Sequence, residues 1–220
     1  MKDLNQLLLN FDYKKNFRDN DFYVSQSNYY AFNIINSWPK WEKNFLNICG
    51  DKYSGKSHLI NIFIKKFKGV VIDANFFENS HLKKIKSFEN IILENFTEKV
   101  DERLIYSLFN IIDQDNKYLI INSLIPIEKL DFKLIDLKSR TKNCLIAHIE
   151  KPDDELMFAL ILKNLSDRQI VIDKKLIDYI IKRIDRSYGK IFEFIYKIDE
   201  ISLKKKKSID FKIIKEVLGD

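Results

Sequence analysis

The sequence predicts an α/β fold: a five-stranded parallel sheet covered by helices, followed by a small all-helical domain. Three observations predict it. Short apolar runs at 45–49, 70–72, 90–93, 118–121 and 143–149 alternate with helix-period stretches at 58–67, 76–85, 98–112 and 129–137. Such alternation reads as successive βαβ units, which close only into a parallel sheet with helices on its faces. After about Lys151 the strand-like runs stop, and 153–165, 173–186, 190–202 and 210–218 all carry helical periodicity. Asp173 and Asp210 stand directly before two of these patterns, where a carboxylate caps the first free N–H groups. Finally, a glycine-rich segment at 50–57 falls between the first strand and the next helix. The expected division is a tail at 1–20, an α/β domain at 21–150 and a helical domain at 151–220.

Each strand is short enough to be buried on both faces, and the composition supplies the core: 45% of the 220 residues are hydrophobic and 13% aromatic. The longest apolar run near the start, Leu7-Leu8-Leu9, is too short for a signal peptide or a membrane span, and no later run reaches about 18 residues. A cytoplasmic protein without a membrane partner is expected. Cys49 and Cys144 lie in apolar strand-like runs, so buried free thiols in a reducing compartment are expected. The three histidines are scattered, which argues against a zinc site. The net charge of +6 comes from 32 lysines and only six arginines, a modest excess that resembles compositional drift more than a nucleic-acid face. The run from Lys204 to Lys207 reads as a solvated helix end. Because arginine is scarce, an arginine where a planar, permanently charged fork is required carries more information.

The segment Gly50-Asp51-Lys52-Tyr53-Ser54-Gly55-Lys56-Ser57 fits G-x-x-x-x-G-K-[ST] at every specified position, and two of the chain's five glycines fall in it. The glycines let the backbone wrap with its N–H groups inward, at a helix N-terminus that already favours anions. Lys56 brings a point charge to the terminal phosphates, and the Ser57 hydroxyl is a ligand for Mg²⁺. A nucleotide with Mg²⁺ is therefore the expected cofactor, and the family resemblance that follows implies that it is ADP or ATP. The strand at 90–93 ends in Glu94, a carboxylate suited to the metal side, whereas Asn95 stands where a water-polarising acid is expected. An amide has no useful basicity, so hydrolysis by this chain alone should be slow.

Beyond the P-loop, several stretches resemble initiator-type AAA+ proteins, and most closely the Hda family of DnaA-related regulators. Asp21-Phe22-Tyr23-Val24-Ser25-Gln26-Ser27-Asn28, followed by Ala31, is similar to the family's adenine-enclosing segment. Ile35-Asn36-Ser37-Trp38-Pro39-Lys40-Trp41 resembles the lead into the first core strand, and Gly55-Lys56-Ser57-His58-Leu59 resembles the P-loop exit. Tyr118-Leu119-Ile120-Ile121-Asn122-Ser123 is similar to the sensor strand, and Asp136-Leu137-Lys138-Ser139-Arg140 to the arginine-finger motif. The resemblance runs from about Gln6 to Leu218 and implies an AAA+ domain with a helical lid. It implies nucleotide contacts from Tyr23, Val24, His58 and Asn122 besides the P-loop, and a finger, Arg140, acting in trans. A surface ion pair is the plain alternative for Arg140. Gly189 occupies the position of a lid sensor arginine, for which Lys190 or Arg186 would have to substitute. The chain stops at Asp220, so the helix-turn-helix domain of full initiators is expected to be missing.

Gln6-Leu7-Leu8-Leu9-Asn10-Phe11 would by itself be a tail strand or a core-packing segment. By the resemblance it is a clamp-binding peptide, with Gln6 at a polar site and Leu7, Leu9 and Phe11 in an apolar groove. The family then implies a nucleotide-binding regulator of replication initiation. Attached to the polymerase sliding clamp, it would stimulate ATP hydrolysis by the initiator DnaA. A homo-oligomer is compatible with this, and DNA contact would be indirect or weak. Two other classes stay open: a helicase-loader-like ATPase on single-stranded DNA, and a small-molecule P-loop kinase, which six dispersed arginines suit poorly.

Overall fold

The computed structural model describes residues 22–205 and 209–219; the tail residues Gln6, Leu7, Leu9 and Phe11 lie outside them. Five strands, β1 (Phe45–Gly50), β2 (Val70–Asp73), β3 (Asn90–Phe96), β4 (Tyr118–Ser123) and β5 (Leu145–Ile149), form one sheet in the order β2-β3-β4-β1-β5. Every pairing is parallel. The helices are α1 (Tyr29–Asn36), α2 (Lys56–Phe67), α3 (Asn79–Lys84), α4 (Glu102–Gln114), α5 (Ile135–Thr141), α6 (Asp154–Asp167), α7 (Lys174–Ile181), α8 (Tyr188–Lys205) and α9 (Phe211–Leu218).

Strand periodicity divides the core into two layers. Phe45, Ile91, Leu93, Leu119 and Ile121 pack with Ile105, Phe109 and Ile112 of α4, and Phe45 stacks on Phe109 at 4.7 Å. Their neighbours Leu46, Ile48, Ile92, Ile120 and Ala147 face the other way, onto Ile35 of α1 and Leu59, Ile60 and Phe63 of α2. Alternate residues of one strand therefore serve opposite faces, as a sheet covered on both sides requires. Burial of each such side chain contributes about 1.5–3 kcal/mol. A third cluster, built from Met157, Ile161, Ile177, Ile180, Ile191, Ile195 and Ile214, holds α6 to α9 together as the helical appendage.

The helix starts follow their carboxylates. Asp101, Asp153, Asp173 and Asp210 each accept a backbone N–H of the following first turn, a cap contributing about 1 kcal/mol. The helix expected over 98–112 accordingly begins only after Asp101. The stretch at 129–137 divides into a 3₁₀ turn, Ile127–Lys129, and the short α5, while the helix expected over 173–186 ends at Ile181. There the chain turns through a Ser187 N–H bond to the Asp185 carbonyl and feeds Tyr188 into α8. Helix α1 is absent from the sequence expectations. Cys49 and Cys144 are buried free thiols, and among the described residues no helix is long and apolar enough to cross a membrane.

Candidate functional site: a phosphate-binding loop under a helical lid

β1 ends in the glycine-rich loop and α2 starts from it, so the loop's N–H groups face the C-terminal edge of the sheet. Its two glycines are required by shape. Gly50 has φ +151°, and a Cβ there would lie 2.8 Å from the Ile149 carbonyl; Gly55 has φ +95°, and a Cβ would meet Phe22 at 3.1 Å. Tyr53 takes a left-handed φ of 69° between them.

Lys56 is 8% exposed, and its ammonium donates to the carbonyls of Gly50 and Asp51, both at 2.7 Å. Burial depresses its pKa, opposed by the Asp51 carboxylate. The Ser54 hydroxyl is buried without a hydrogen-bond partner. A largely desolvated cation and an orphaned hydroxyl in one loop fit a bound polyphosphate, which would supply the missing acceptors. On the metal side, the Asn122 amide stands 3.5 Å from the Ser57 hydroxyl and 3.4 Å from Glu94. The three residues expected around Mg²⁺ and the terminal phosphate therefore converge from α2, β3 and β4. One hydroxyl and one carboxylate suit Mg²⁺, which usually takes its other ligands from water and phosphate. Among the described residues no group of three or more His, Cys, Asp and Glu side chains forms a metal cage.

Asn95 does not join this group. A bulge shifts the β3–β4 register between Leu93 and Phe96, and Asn95 takes a left-handed φ of 56°. Its amide donates to Asp73 at the end of β2 at 2.7 Å. Burial raises the Asp73 pKa, but hydrogen bonds from the Asn75 backbone and the Asn95 and Asn75 amides outweigh it and leave the pKa lowered.

Beside the loop, a pocket is lined by Phe22, Tyr23, Tyr53, Gly55, His58 and Tyr188, among others. Phe22 stacks on Phe32 and meets His58 edge-on at 5.3 Å. The Tyr23 hydroxyl bonds to Glu155 of α6, which raises its pKa. Tyr23 and His58 both line this pocket, whereas Val24 does not. Phe22 and Asn28 line it from the adenine-enclosing stretch expected at 21–28, while Leu156, Leu160 and Tyr188 are lining residues that no sequence motif singled out. Tyr188 donates to the Glu150 carbonyl at 3.0 Å, and Tyr53 lies 5.0 Å, ring to ring, from Phe192 of α8. The lid therefore touches both the loop and the pocket. Both proposed sensor substitutes are engaged in exposed ion pairs, Arg186 with Asp154 at 2.8 Å and Lys190 with Glu193 at 3.0 Å.

Arg140 lies far from this cluster in topology. It precedes Leu145, which pairs with Leu46 near the start of β1, while Gly50 at the other end pairs with Ile149. Its guanidinium pairs with Asp113 of α4 and lies 5.3 Å from the Tyr106 ring.

The parallel sheet, its glycine-rich loop and the helical appendage form an α/β fold of the AAA+ type. The chain superposes on domain III of the replication initiation protein DnaA of Thermotoga maritima with a TM-score of 0.75 at 19% identity, covering 94% of this chain and 97% of that one. A replication initiator DnaA bound to AMPPCP and single-stranded DNA superposes with a TM-score of 0.68 at 21% identity, over 87% of this chain and 68% of that one. In sequence the chain is 22% identical over 240 residues to the chromosomal replication initiator DnaA of Buchnera aphidicola, covering 97% of this chain and 55% of that protein. It is 25% identical to an uncharacterized Haemophilus influenzae protein, covering 80% and 81%. The chain thus spans about half the length of the curated DnaA sequences it matches. No family model matches it.

Proposed function

We propose that the protein is a nucleotide-binding regulator of chromosomal replication initiation. Held on the sliding clamp by Gln6, Leu7, Leu9 and Phe11, it stimulates ATP hydrolysis by the initiator DnaA by presenting Arg140 in trans. The observation that carries this reading is the separation of its parts. A phosphate loop with a metal side lies at one edge of the sheet, and an arginine precedes β5 at the other. From there Arg140 serves a neighbour's nucleotide rather than its own. Arginine fingers supplied in trans accelerate hydrolysis about 10³–10⁵-fold, or roughly 4–7 kcal/mol of barrier. The engagement of Asn95 with Asp73 further supports slow turnover by this chain alone.

The nucleotide is ADP or ATP with Mg²⁺, held by the P-loop with Ser57 and Glu94; structures of similar fold hold AMPPCP. The Asp113 pairing is compatible with a finger, because an exposed ion pair contributes only about 0–1 kcal/mol and exchanges readily for a phosphate. The test is reconstitution: initiator loaded with ATP, clamp on DNA, and this full chain added. Stimulated hydrolysis that needs clamp, DNA and this chain together supports the reading. Brisk hydrolysis by this chain alone would instead favour a loader-like ATPase or a kinase.

A further inference from the structure

The parallel sheet separates charge in a way that the net value of +6 conceals. The segments entering the N-terminal ends of the strands, each taken with any last residues of the preceding helix that it includes, are 37–44, 65–69, 83–89, 113–117 and 140–144; they carry eleven lysines and arginines against four acids, a net +7. The connections leaving the opposite edge, 50–55, 73–78, 94–101, 124–134 and 149–153, carry a net −5. Lysine-rich composition raises charge everywhere and does not explain such segregation. The excess is densest at the corner under β2 and β3, where 65–69 and 83–89 hold six lysines and one acid, Glu89.

Hydrogen bonds join these connections into one surface. The Asn90 amide donates to the Lys68 carbonyl at 3.1 Å, and the Lys117 ammonium donates to the carbonyls of Lys86 and Phe88, both at 2.9 Å. Asn44 donates to Asn116 at 3.1 Å. Lys68 is fixed by a left-handed turn with Gly69, where a Cβ would meet the Asn90 carbonyl at 2.7 Å. Lys66, Lys68, Lys84 and Lys86 are all exposed.

We propose that this corner is a docking surface for the phosphate backbone of double-stranded DNA, read without sequence preference. A rigid, lysine-dense, acid-poor surface matches a dense line of phosphates by releasing its counterions. The net negative charge of the opposite edge orients the domain, keeping the duplex away from the nucleotide side. Arg140 stands before β5 at the far end of the strand order, so the two roles do not compete for one place. The inference is independent of the regulator reading and survives its failure.

The test is fluorescence anisotropy of the full chain with a labelled random-sequence duplex at several salt concentrations, using three proteins. These are the wild type, Lys66→Gln/Lys68→Gln/Lys84→Gln/Lys86→Gln, and a lid control, Lys175→Gln/Lys182→Gln/Lys212→Gln/Lys215→Gln, with the same loss of charge. The expected result is at least a tenfold loss of affinity at low salt for the first variant and less than a twofold loss for the control. The log–log salt slope of the first variant should be shallower by about 3.6, since each of four lost phosphate contacts removes about 0.9. Unchanged thermal unfolding and nucleotide binding verify that it is folded. Equal losses in both variants, a flat salt dependence for the wild type, or a polyglutamate peptide competing as well as duplex at equal charge would overturn the proposal.

Discussion

Tyr53 of the phosphate loop and Phe192 of lid helix α8 hold their rings 5.0 Å apart, so a residue inside the nucleotide-binding loop touches the helical lid directly. An aromatic pair contributes about 0.5–1.5 kcal/mol beyond area burial. Phe192→Ala should therefore weaken ADP binding about two- to tenfold while leaving the fold intact. Lys56→Ala should abolish most of the binding. In differential scanning fluorimetry, nucleotide at about a hundred times its Kd adds about 2.7 kcal/mol of apparent stability to the wild type. No shift with millimolar ADP or ATP and Mg²⁺ would refute the site itself.

The Asn95–Asp73 contact predicts a charge-swap result. Asn95→Asp sets two carboxylates against each other at a 2.7 Å contact and should destabilise the protein by about 1 kcal/mol at neutral pH. Asp73→Asn added to it should recover most of the loss, since one amide and one carboxylate again face each other. Urea denaturation of the wild type, Asn95→Asp, Asp73→Asn and the double variant completes the cycle. Equal stability of Asn95→Asp and wild type would mean that this contact does not hold the bulge.

Burial raises the thiol pKa of Cys49 to about 11, opposed by the Lys56 charge, and that of Cys144 to about 12. Both thiols should resist a thiolate-selective reagent at pH 8 in the native state and react fully in denaturant. The sign of the stability effect follows from linkage. Below pH 9 both states keep the thiols protonated, whereas above it the unfolded chain ionises while the folded one does not. Stability should therefore fall as pH rises from about 9 towards 11, and replacing both cysteines with alanine should flatten that slope. An unchanged slope would assign the alkaline loss to other groups.

The tail makes a prediction separable from the nucleotide. Gln6→Ala/Leu9→Ala/Phe11→Ala should remove clamp capture and leave ADP affinity unchanged, because no P-loop residue is altered. Clamp binding as tight as wild type by the triple variant would dismiss the tail as the attachment point.

Fold and phosphate site were legible in the sequence for definite reasons. Strands buried on both faces read as unbroken apolar runs, and the loop's geometry admits few residues at Gly50, Gly55, Lys56 and Ser57. Glu94 could be expected because it closes such a run at the sheet edge where the loop lies, whereas Asn122 was expected only through the family resemblance. What stayed hidden depends on distant pairing. Tyr188 and Leu156 line the pocket only because the lid folds back, and apolar periodicity alone does not separate them from core residues. The turn of Asn95 towards Asp73 arises from a bulge, which a seven-residue strand pattern does not announce. The partner of Arg140, 27 positions earlier in the chain, could not be read from its local motif. The charge polarity was missed because it emerges only when alternate connections are sorted to opposite edges of a parallel sheet.

The most direct measurement of the central claim is single-turnover hydrolysis of initiator-bound ATP, with clamp loaded on DNA and wild-type or Arg140→Ala protein added. The account predicts strong stimulation by the wild type and none by Arg140→Ala, with ADP binding, clamp binding and thermal stability of the variant close to wild type. Arg140→Lys should rescue poorly, since an ammonium lacks the guanidinium's planar fork. Asp113→Ala, which frees the guanidinium from its ion pair, should stimulate at least as well as wild type. Full stimulation by Arg140→Ala would contradict the account.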